Sequence, residues 1–171
     1  MKTRKAVDKI LEIIMILFMS VLLTDVLWQV ISRYLNRFLV KNFSFQIDTA
    51  YYSFTDELAG FLLIWVGLLG AAYATGKKEH LSIDLLSNKL TARGKNILSG
   101  IINAMIILFS IGVMIIGGIW LVYTRFYLGQ ISPGLQLPMG FVYLIVPFSG
   151  LLMTYYAFSD FINLLKPTKT L

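Results

Sequence analysis

One histidine and one carboxylate in this sequence are spaced so that they could do chemistry together. His80 is the only histidine, and Asp84 follows it four residues later in the stretch "AYATGKKEHLSIDLL", residues 71–85. On a helix, residues four apart share a face, so the pair could bind a metal ion or pass on a proton. A catalytic zinc ion takes about three protein ligands, and the adjacent Glu79 would lie on another face. We therefore expect no metal site here.

Other familiar catalytic and cofactor motifs are missing from the sequence. The chain has no cysteine, which excludes thiol catalysis, disulfides and cysteine-held metal clusters. A single histidine cannot supply the paired axial ligands of a b-type haem or an H-E-x-x-H zinc site. Neither a G-x-S-x-G segment nor a P-loop occurs. We expect no enzymatic activity and no cofactor in this chain.

The composition is that of a membrane protein. Apolar residues make up 57% of the 171 residues and charged residues 14%, whereas soluble proteins average about 25% charged. Crossing a bilayer takes about 20 mostly apolar residues, and a helix satisfies its own backbone polar groups there. Four runs are long enough: residues 10–31, 57–75, 97–122 and 141–162. The sequence predicts an all-α membrane protein with four transmembrane helices, forming a single integral membrane domain over residues 1–171.

Basic residues are distributed unevenly between the two sides of the predicted membrane domain. Eleven lysines and arginines fall in the two termini and the 76–96 loop, and four fall in the remaining two loops. Loops rich in Lys and Arg stay in the cytoplasm, so both termini are predicted to be cytoplasmic. The net charge of +6 lies between apolar runs, which favours contact with anionic lipid headgroups over nucleic acid.

The two longer connections have patterns typical of the membrane surface. Residues 32–55 are rich in aromatic side chains, which favour the headgroup boundary. In residues 81–95, apolar residues recur at the spacing of one helical face. Short amphipathic surface helices are predicted in both connections. At the start of the second, Gly76 suits a helix C-cap. The residues predicted to anchor the cytoplasmic turn at lipid headgroups are Lys77, Lys78, His80 and Asp84.

Asp25 is an acidic residue deep in the first apolar run, and two interpretations of it stay open. It could be an ordinary tolerated acid, or it could fix packing by pairing with Gln29 or with a partner subunit. A hypothesis of another class makes the chain a stand-alone four-helix protein. It would then be a proton-coupled exporter that uses Asp25, or a membrane enzyme that uses Asp25 and His80.

The second apolar run carries the pattern of a helix that packs against another helix. Gly60, Gly67, Ala71 and Ala74 recur at spacings of seven, four and three. Small residues on one stripe let another backbone approach closely in a membrane. Trp65 lies on a different face and is a candidate for a lipid or partner groove. Acidic residues at a helix start oppose its dipole, and we expect Glu57 to add a contact with a partner subunit.

Two blocks of this sequence resemble the small membrane subunit of TRAP (tripartite ATP-independent periplasmic) transporters. The first is "DELAGFLLIWVGLLGAAYATGKKEHLSIDLL", residues 56–86, and the second is "SPGLQLPMGFVYLIVPFSGLLM", which begins at Ser132. The first block carries the resemblance through Glu57, Trp65, Gly67, Ala71, Lys77, His80, Ile83 and Asp84. The second carries it through Pro133, Pro138, Tyr143, Pro147 and Gly150.

The resemblance implies a function that the chain performs with partners. The resemblance implies a scaffold in the bacterial inner membrane, in a one-to-one complex with a large subunit that binds substrate and sodium ions. A periplasmic protein captures an organic acid, such as a sialic acid or a C4-dicarboxylate, and docks on the outer surface. The residues predicted to contact the large subunit are Glu57, Gly60, Trp65, Gly67, Ala71 and Ala74. The residues predicted for the docking surface are Arg33, Arg37, Lys41, Asp48 and Arg125.

Overall fold

The computed structural model describes residues 2–43, 49–77 and 92–165, and almost all of them are helical. The helices are α1 (Lys2–Phe43), α2 (Thr49–Lys77), α3 (Ala92–Phe109), a π-helical segment (Ser110–Gly117), α4 (Gly118–Tyr127), α5 (Met139–Tyr143) and α6 (Ile145–Leu165). Four helical stretches are long and apolar enough to cross a membrane: Arg4–Lys41, Ser53–Lys77, Ile97–Tyr127 and Met139–Ile162. The predicted all-α membrane fold with four spanning helices is confirmed.

The predicted surface helix in residues 32–55 is wrong as a separate element. Helix α1 continues without a break to Phe43, and α2 already begins at Thr49. Only residues 44–48 of this connection lie outside the described part of the chain. The physical reason is the absence of a helix breaker, because the first glycine is Gly60 and the first proline is Pro133.

The predicted surface helix in residues 81–95 falls largely outside the described residues, since 78–91 are not described. Residues 92–95 form the first turn of α3, which runs directly into the third spanning stretch. Gly94 does not interrupt the helix, because one glycine inside a helix costs only about 1 kcal/mol relative to alanine.

The third and fourth spanning stretches both depart from regular α-helix. In the third, the Ser110 hydroxyl at the start of the π-helical segment donates toward the carbonyls of Ile106 and Ile107, at 2.8 and 3.2 Å. A serine that bonds back to its own helix commonly distorts it. The fourth stretch is interrupted at Leu144, because Pro147 lacks an N–H and its ring clashes with the carbonyl four residues earlier.

The chain divides into two compact units. The first unit comprises Met1–Gly67 and Val122–Val142, and the second comprises Leu68–Leu121 and Tyr143–Leu171. The prediction of a single integral membrane domain stays a prediction. In the second unit the most buried side chains include Leu69, Ala72, Tyr156 and Ala157.

Close contacts at glycines hold the second unit together. A Cβ atom at Gly118 would lie 2.9 Å from Pro147 Cδ, and one at Gly150 would lie 2.8 Å from Met114 Cβ. Gly76 belongs to this group and does not cap α2. It lies inside the helix, and a Cβ there would be 2.9 Å from the Tyr156 ring. The C-cap prediction is therefore wrong, and close approach explains the glycine.

Candidate functional site

The carboxylate of Glu57 is held by a loop from the other sequence segment of the first unit. The Gly134 N–H donates to Glu57 Oε1 at 3.0 Å, and the Leu135 N–H donates to Oε2 at 3.0 Å. The Ser132 hydroxyl also donates to Oε2. Successive backbone N–H groups pointing at one anion form a nest, and hydrogen bonds to an ionised acceptor are stronger than neutral ones. Glu57 therefore fixes this loop to the start of α2.

The loop is shaped for this contact by its own backbone bonds. The Ser132 N–H donates to the Leu137 carbonyl at 2.9 Å, and the Met139 N–H donates to the Gln130 carbonyl at 2.9 Å. A Cβ at Gly134 would lie 2.7 Å from the Ser53 carbonyl oxygen. Only glycine allows so close an approach of the loop to the backbone of α2.

A polar contact also joins α1 to α2 in the first unit. The Gln29 side-chain amide donates to the Thr55 carbonyl at 2.8 Å and to Asp25 Oδ2 at 3.0 Å. Gln29 is buried, with 9% of its surface exposed, so these acceptors satisfy a group that would otherwise be costly in a membrane. Of the interpretations left open for Asp25, this geometry supports the pairing with Gln29.

An ion pair lies one turn farther along α1. Arg33 Nη2 donates to both carboxylate oxygens of Asp56, at 2.6 and 2.8 Å. About half of each side chain is exposed, 54% for Arg33 and 48% for Asp56. The acidic pair at the start of α2 is thus divided between two partners, with Asp56 bound to α1 and Glu57 bound to the 132–135 loop.

Trp65 makes its polar contact inside the first unit. Its indole N–H donates to the Val142 carbonyl at 3.0 Å, and its ring meets Phe18 edge-on with the centroids 5.7 Å apart. The ring is half-buried. The contact of Trp65 with the large subunit remains a prediction.

The predicted small-residue contacts differ in how open they are. A Cβ built at Gly60 or Gly67 would meet no atom within 4 Å among the described residues. Ala71 is exposed, and Ala74 is half-buried. The described chain does not use Gly60 and Gly67 for close packing, unlike Gly118 and Gly150.

Of the predicted docking residues, two have polar partners in the first unit. Arg33 pairs with Asp56, and Arg125 Nη1 donates to Gln130 Oε1. Arg37 and Lys41 follow Arg33 at four-residue spacing on α1 and are exposed. Asp48 lies outside the described residues.

The predicted cytoplasmic turn is only partly visible. Lys77 ends α2, with its Nζ 5.2 Å from the centroid of the Tyr73 ring. Lys78, His80 and Asp84 lie outside the described residues. Within the described ranges, no three side chains of the metal-ligating types come together.

Sequence reasoning did not identify the partners of Glu57. It singled out Glu57 and the Ser132 block separately, and the structure brings them together. The available signal was the Ser-Pro-Gly order at 132–134, which is typical of a tight loop with exposed backbone N–H groups. Pairing that loop with an acid 75 residues earlier required the tertiary structure.

Comparison with known proteins gives consistent matches. Residues 22–166 match the family model described as tripartite ATP-independent periplasmic transporters, DctQ component. A Haemophilus influenzae protein provisionally named a TRAP transporter small permease is 30% identical over 148 residues, covering 86% of this chain and 83% of the relative. The sialic acid TRAP transporter small permease protein SiaQ of Vibrio cholerae is 27% identical, covering 95% and 86%. The isethionate TRAP transporter permease protein DctMQ of Oleidesulfovibrio alaskensis is 30% identical, covering 62% and 16%.

Proposed function

Because this chain belongs to the DctQ family of TRAP transporters, we propose that it is the scaffold subunit of a sodium-driven importer of organic acids. The chain is a small permease subunit and a multi-pass protein of the bacterial inner membrane. In the proposal it packs one-to-one against the large membrane subunit, which binds the substrate and the sodium ions. Its own side chains hold no cofactor and no substrate.

The observation that carries the scaffold role is the open glycine surface of α2 in the first unit. Gly60 and Gly67 have room for a side chain, and lipid gives no hydrophobic preference for helix association. Glycines in a membrane helix that are not used within the chain are suited to the close approach of a second backbone. The large subunit is the partner that fits this surface.

A fusion among the relatives supports the partner. The name of the Oleidesulfovibrio alaskensis relative, DctMQ, refers to a permease protein, and this chain matches only 16% of its length. A match to a small part of a longer permease is what we expect if the two membrane subunits work side by side.

Co-purification with the large subunit tests the scaffold role. Gly67→Leu and Ala71→Leu should each prevent recovery of the complex from mild detergent, whereas Leu63→Ala should not. Leu63 is exposed, at 62%, and serves as the matched control on the same helix. Because a Cβ at Gly67 meets nothing within 4 Å, this variant should fold alone with an unchanged melting temperature. Equal loss of complex from all three variants would contradict the small-residue interface.

The outer surface is proposed to help dock the periplasmic substrate-binding protein. With both termini in the cytoplasm, as the distribution of Lys and Arg favours, the end of α1 and the 128–138 loop face the periplasm. Cysteine labelling with a membrane-impermeant reagent tests this orientation: Asn36→Cys should react in intact cells, and Thr168→Cys should react only after lysis. The reverse pattern would contradict it.

Uptake by the reconstituted system tests substrate and driving ion. The proposed substrate is an organic acid, and the Vibrio cholerae relative, which is named for sialic acid, makes that acid the first to assay. Vesicles containing both membrane subunits should take up the acid only with the binding protein and an inward sodium gradient. Uptake that depends on a proton gradient alone would contradict sodium coupling.

The alternative of a stand-alone enzyme is not carried forward, because the matched relatives are named as transporter subunits. A stand-alone exporter using Asp25 is disfavoured by the Gln29 contact, which gives that carboxylate a packing role. Transport by this chain alone, lost in Asp25→Asn, would revive it.

A further inference from the structure

The exposed basic stripe at the end of α1 carries an inference that goes beyond the scaffold role. The stripe consists of Arg33, Arg37 and Lys41, one helical turn apart on the same face. We propose that Arg37 and Lys41 bind the phosphate of an anionic phospholipid at the membrane surface. The source of the phosphate is the lipid headgroup, and the proposal does not depend on which leaflet the stripe faces.

The position of the stripe along α1 matches the depth of the headgroups. The apolar run ends at residue 31, and 22 residues at about 1.5 Å each span roughly 33 Å, close to the ~30 Å hydrocarbon core. Arg37 lies about 9 Å beyond that end by the same rise, and Lys41 one turn farther. The headgroup layer extends roughly 5–8 Å beyond the core. Long basic side chains turn toward that layer, with Arg37 the nearer.

Aromatic side chains lie on both sides of the end of the apolar run. Trp28 and Tyr34 are 53% and 69% exposed, and such rings concentrate at the headgroup level. The Arg37 guanidinium lies 5.9 Å from the centroid of the Tyr34 ring, which supports the side chain in position. Phosphate is thus within reach of a guanidinium that is already placed at the interface.

The three basic side chains of the stripe differ in whether they form an ion pair. Arg33 is paired with Asp56, whereas no described carboxylate lies within ion-pair distance of Arg37 or Lys41. The two side chains line a shallow, open groove of about 470 Å³ on the surface of α1 together with Arg33, Asn36 and Val40. Two neighbouring basic groups whose long side chains extend back toward the headgroups are complementary to a lipid phosphate and to the net negative charge of an anionic headgroup.

Native mass spectrometry of the full chain in detergent tests this assignment. Phosphatidylglycerol and phosphatidylethanolamine with the same acyl chains are titrated separately, so that the headgroup charge is the only difference. Phosphatidylglycerol should bind more tightly. Arg37→Gln should weaken that binding about fivefold, and Arg37→Gln with Lys41→Gln by up to about 25-fold, on the basis of roughly one such factor for each basic residue at the surface.

The matched control retains both charges. Arg37→Lys with Lys41→Arg should keep most of the phosphatidylglycerol binding, and the melting temperature of every variant should match the wild type because both side chains are exposed. Glycerol phosphate at millimolar concentration should not displace the lipid. Displacement by glycerol phosphate would overturn the assignment to a lipid.

Two further outcomes would also overturn the assignment. One is equal binding of the two lipids, or equal phosphatidylglycerol binding by all variants. The other is unchanged lipid binding in the double glutamine variant together with weaker capture of the periplasmic binding protein, which would assign the stripe to protein docking. Because lipid binding is measured without the large subunit, its failure is distinguishable from failure of the scaffold role.

Discussion

The two units of this chain hold their segments together by different means. In the first unit, polar side chains join distant parts of the sequence, as Glu57 does with the 132–135 loop and Gln29 with Thr55. In the second unit, the closest contacts are glycines against side chains, such as Gly150 against Met114. Its buried hydroxyls serve mostly their own helices, although Ser110 also meets Thr154 at 2.9 Å. Polar contacts between distant segments thus distinguish the first unit, whereas close glycine contacts occur in both units, as at Gly134 and Gly140 in the first.

Glu57 lies one turn into the second spanning stretch, whereas Gly118 and Gly150 lie well inside the third and fourth. A carboxylate and free backbone N–H groups are tolerated near a membrane surface, where each can also be hydrated, but they are costly in the hydrocarbon. Deep in a membrane, helices associate mainly through the close packing that small residues allow, because lipid gives no hydrophobic preference for helix contact. Substitutions in the two units should therefore fail in different ways.

The largest effect is expected for Gly150→Leu in the second unit. A Cβ at this position would lie 2.8 Å from Met114 Cβ and 3.2 Å from the Ser110 carbonyl oxygen, and a backbone atom cannot move aside cheaply. We expect a loss of about 3 kcal/mol in unfolding free energy, at the upper end for overpacking. Thermal unfolding of the purified chain in detergent measures this loss.

Gly100→Leu is the matched control for Gly150→Leu. Its Cβ meets no atom within 4 Å among the described residues, and leucine is a better helix former than glycine. The control should be as stable as the wild type or slightly more stable. If both variants unfold at the same temperature, shape does not specify the second unit.

The next largest effect is expected for Glu57→Ala in the first unit. Removal of the carboxylate takes away the acceptor of the Gly134 N–H and leaves the Leu135 N–H with only the longer bond to the Ser132 hydroxyl, at 3.3 Å. We expect a measurable loss in unfolding free energy that is smaller than the loss in Gly150→Leu, because these hydrogen bonds go to a charged acceptor at the membrane surface. Glu57→Gln should lose about half as much, because the amide oxygen still accepts one bond.

Amide hydrogen exchange distinguishes a local loosening from a global effect. Exchange at Gly134 and Leu135 should accelerate in Glu57→Ala and stay at the wild-type rate in Gly100→Leu. Protection of both amides in Glu57→Ala would mean that the loop is held by its own backbone bonds alone. Glu57 would then not be a polar contact that stabilises the first unit.

Much of the fold was predictable from the sequence, because the signal for a membrane helix is local. The second, third and fourth apolar runs were predicted within about five residues, whereas the first spanning stretch, Arg4–Lys41, begins six residues before and ends ten residues after the predicted run 10–31. The separate surface helix in residues 32–55 was wrong because aromatic residues indicate depth in the membrane, not a break in a helix. Glycine and proline are the strongest signals for the end of a helix, and neither occurs before Gly60.

The site was less predictable, because its contacts join residues far apart in the sequence. Glu57 and Trp65 were predicted to be contact residues. Nothing in the sequence, however, indicates that they bond to the Ser132 loop and to the Val142 carbonyl. A backbone N–H or carbonyl has the same chemistry at every residue, so its use by a side chain is decided by tertiary structure. The same reasoning explains why Gly76 was assigned to a cap, although it packs against Tyr156.

The smallest effect is expected for the Arg33–Asp56 ion pair, which tests whether polar contacts in the first unit are equivalent. About half of each side chain is exposed, and such pairs contribute only about 0.2–1 kcal/mol. A double-mutant cycle of Arg33→Gln and Asp56→Asn should give a coupling in that range at 0.1 M salt. At 1 M salt the coupling should fall, because the screening length shortens to about 3 Å, whereas the loss in Glu57→Ala should persist. A coupling above 2 kcal/mol that survives 1 M salt would mean that water is excluded from this pair, and that this pair, not Glu57, anchors the first unit.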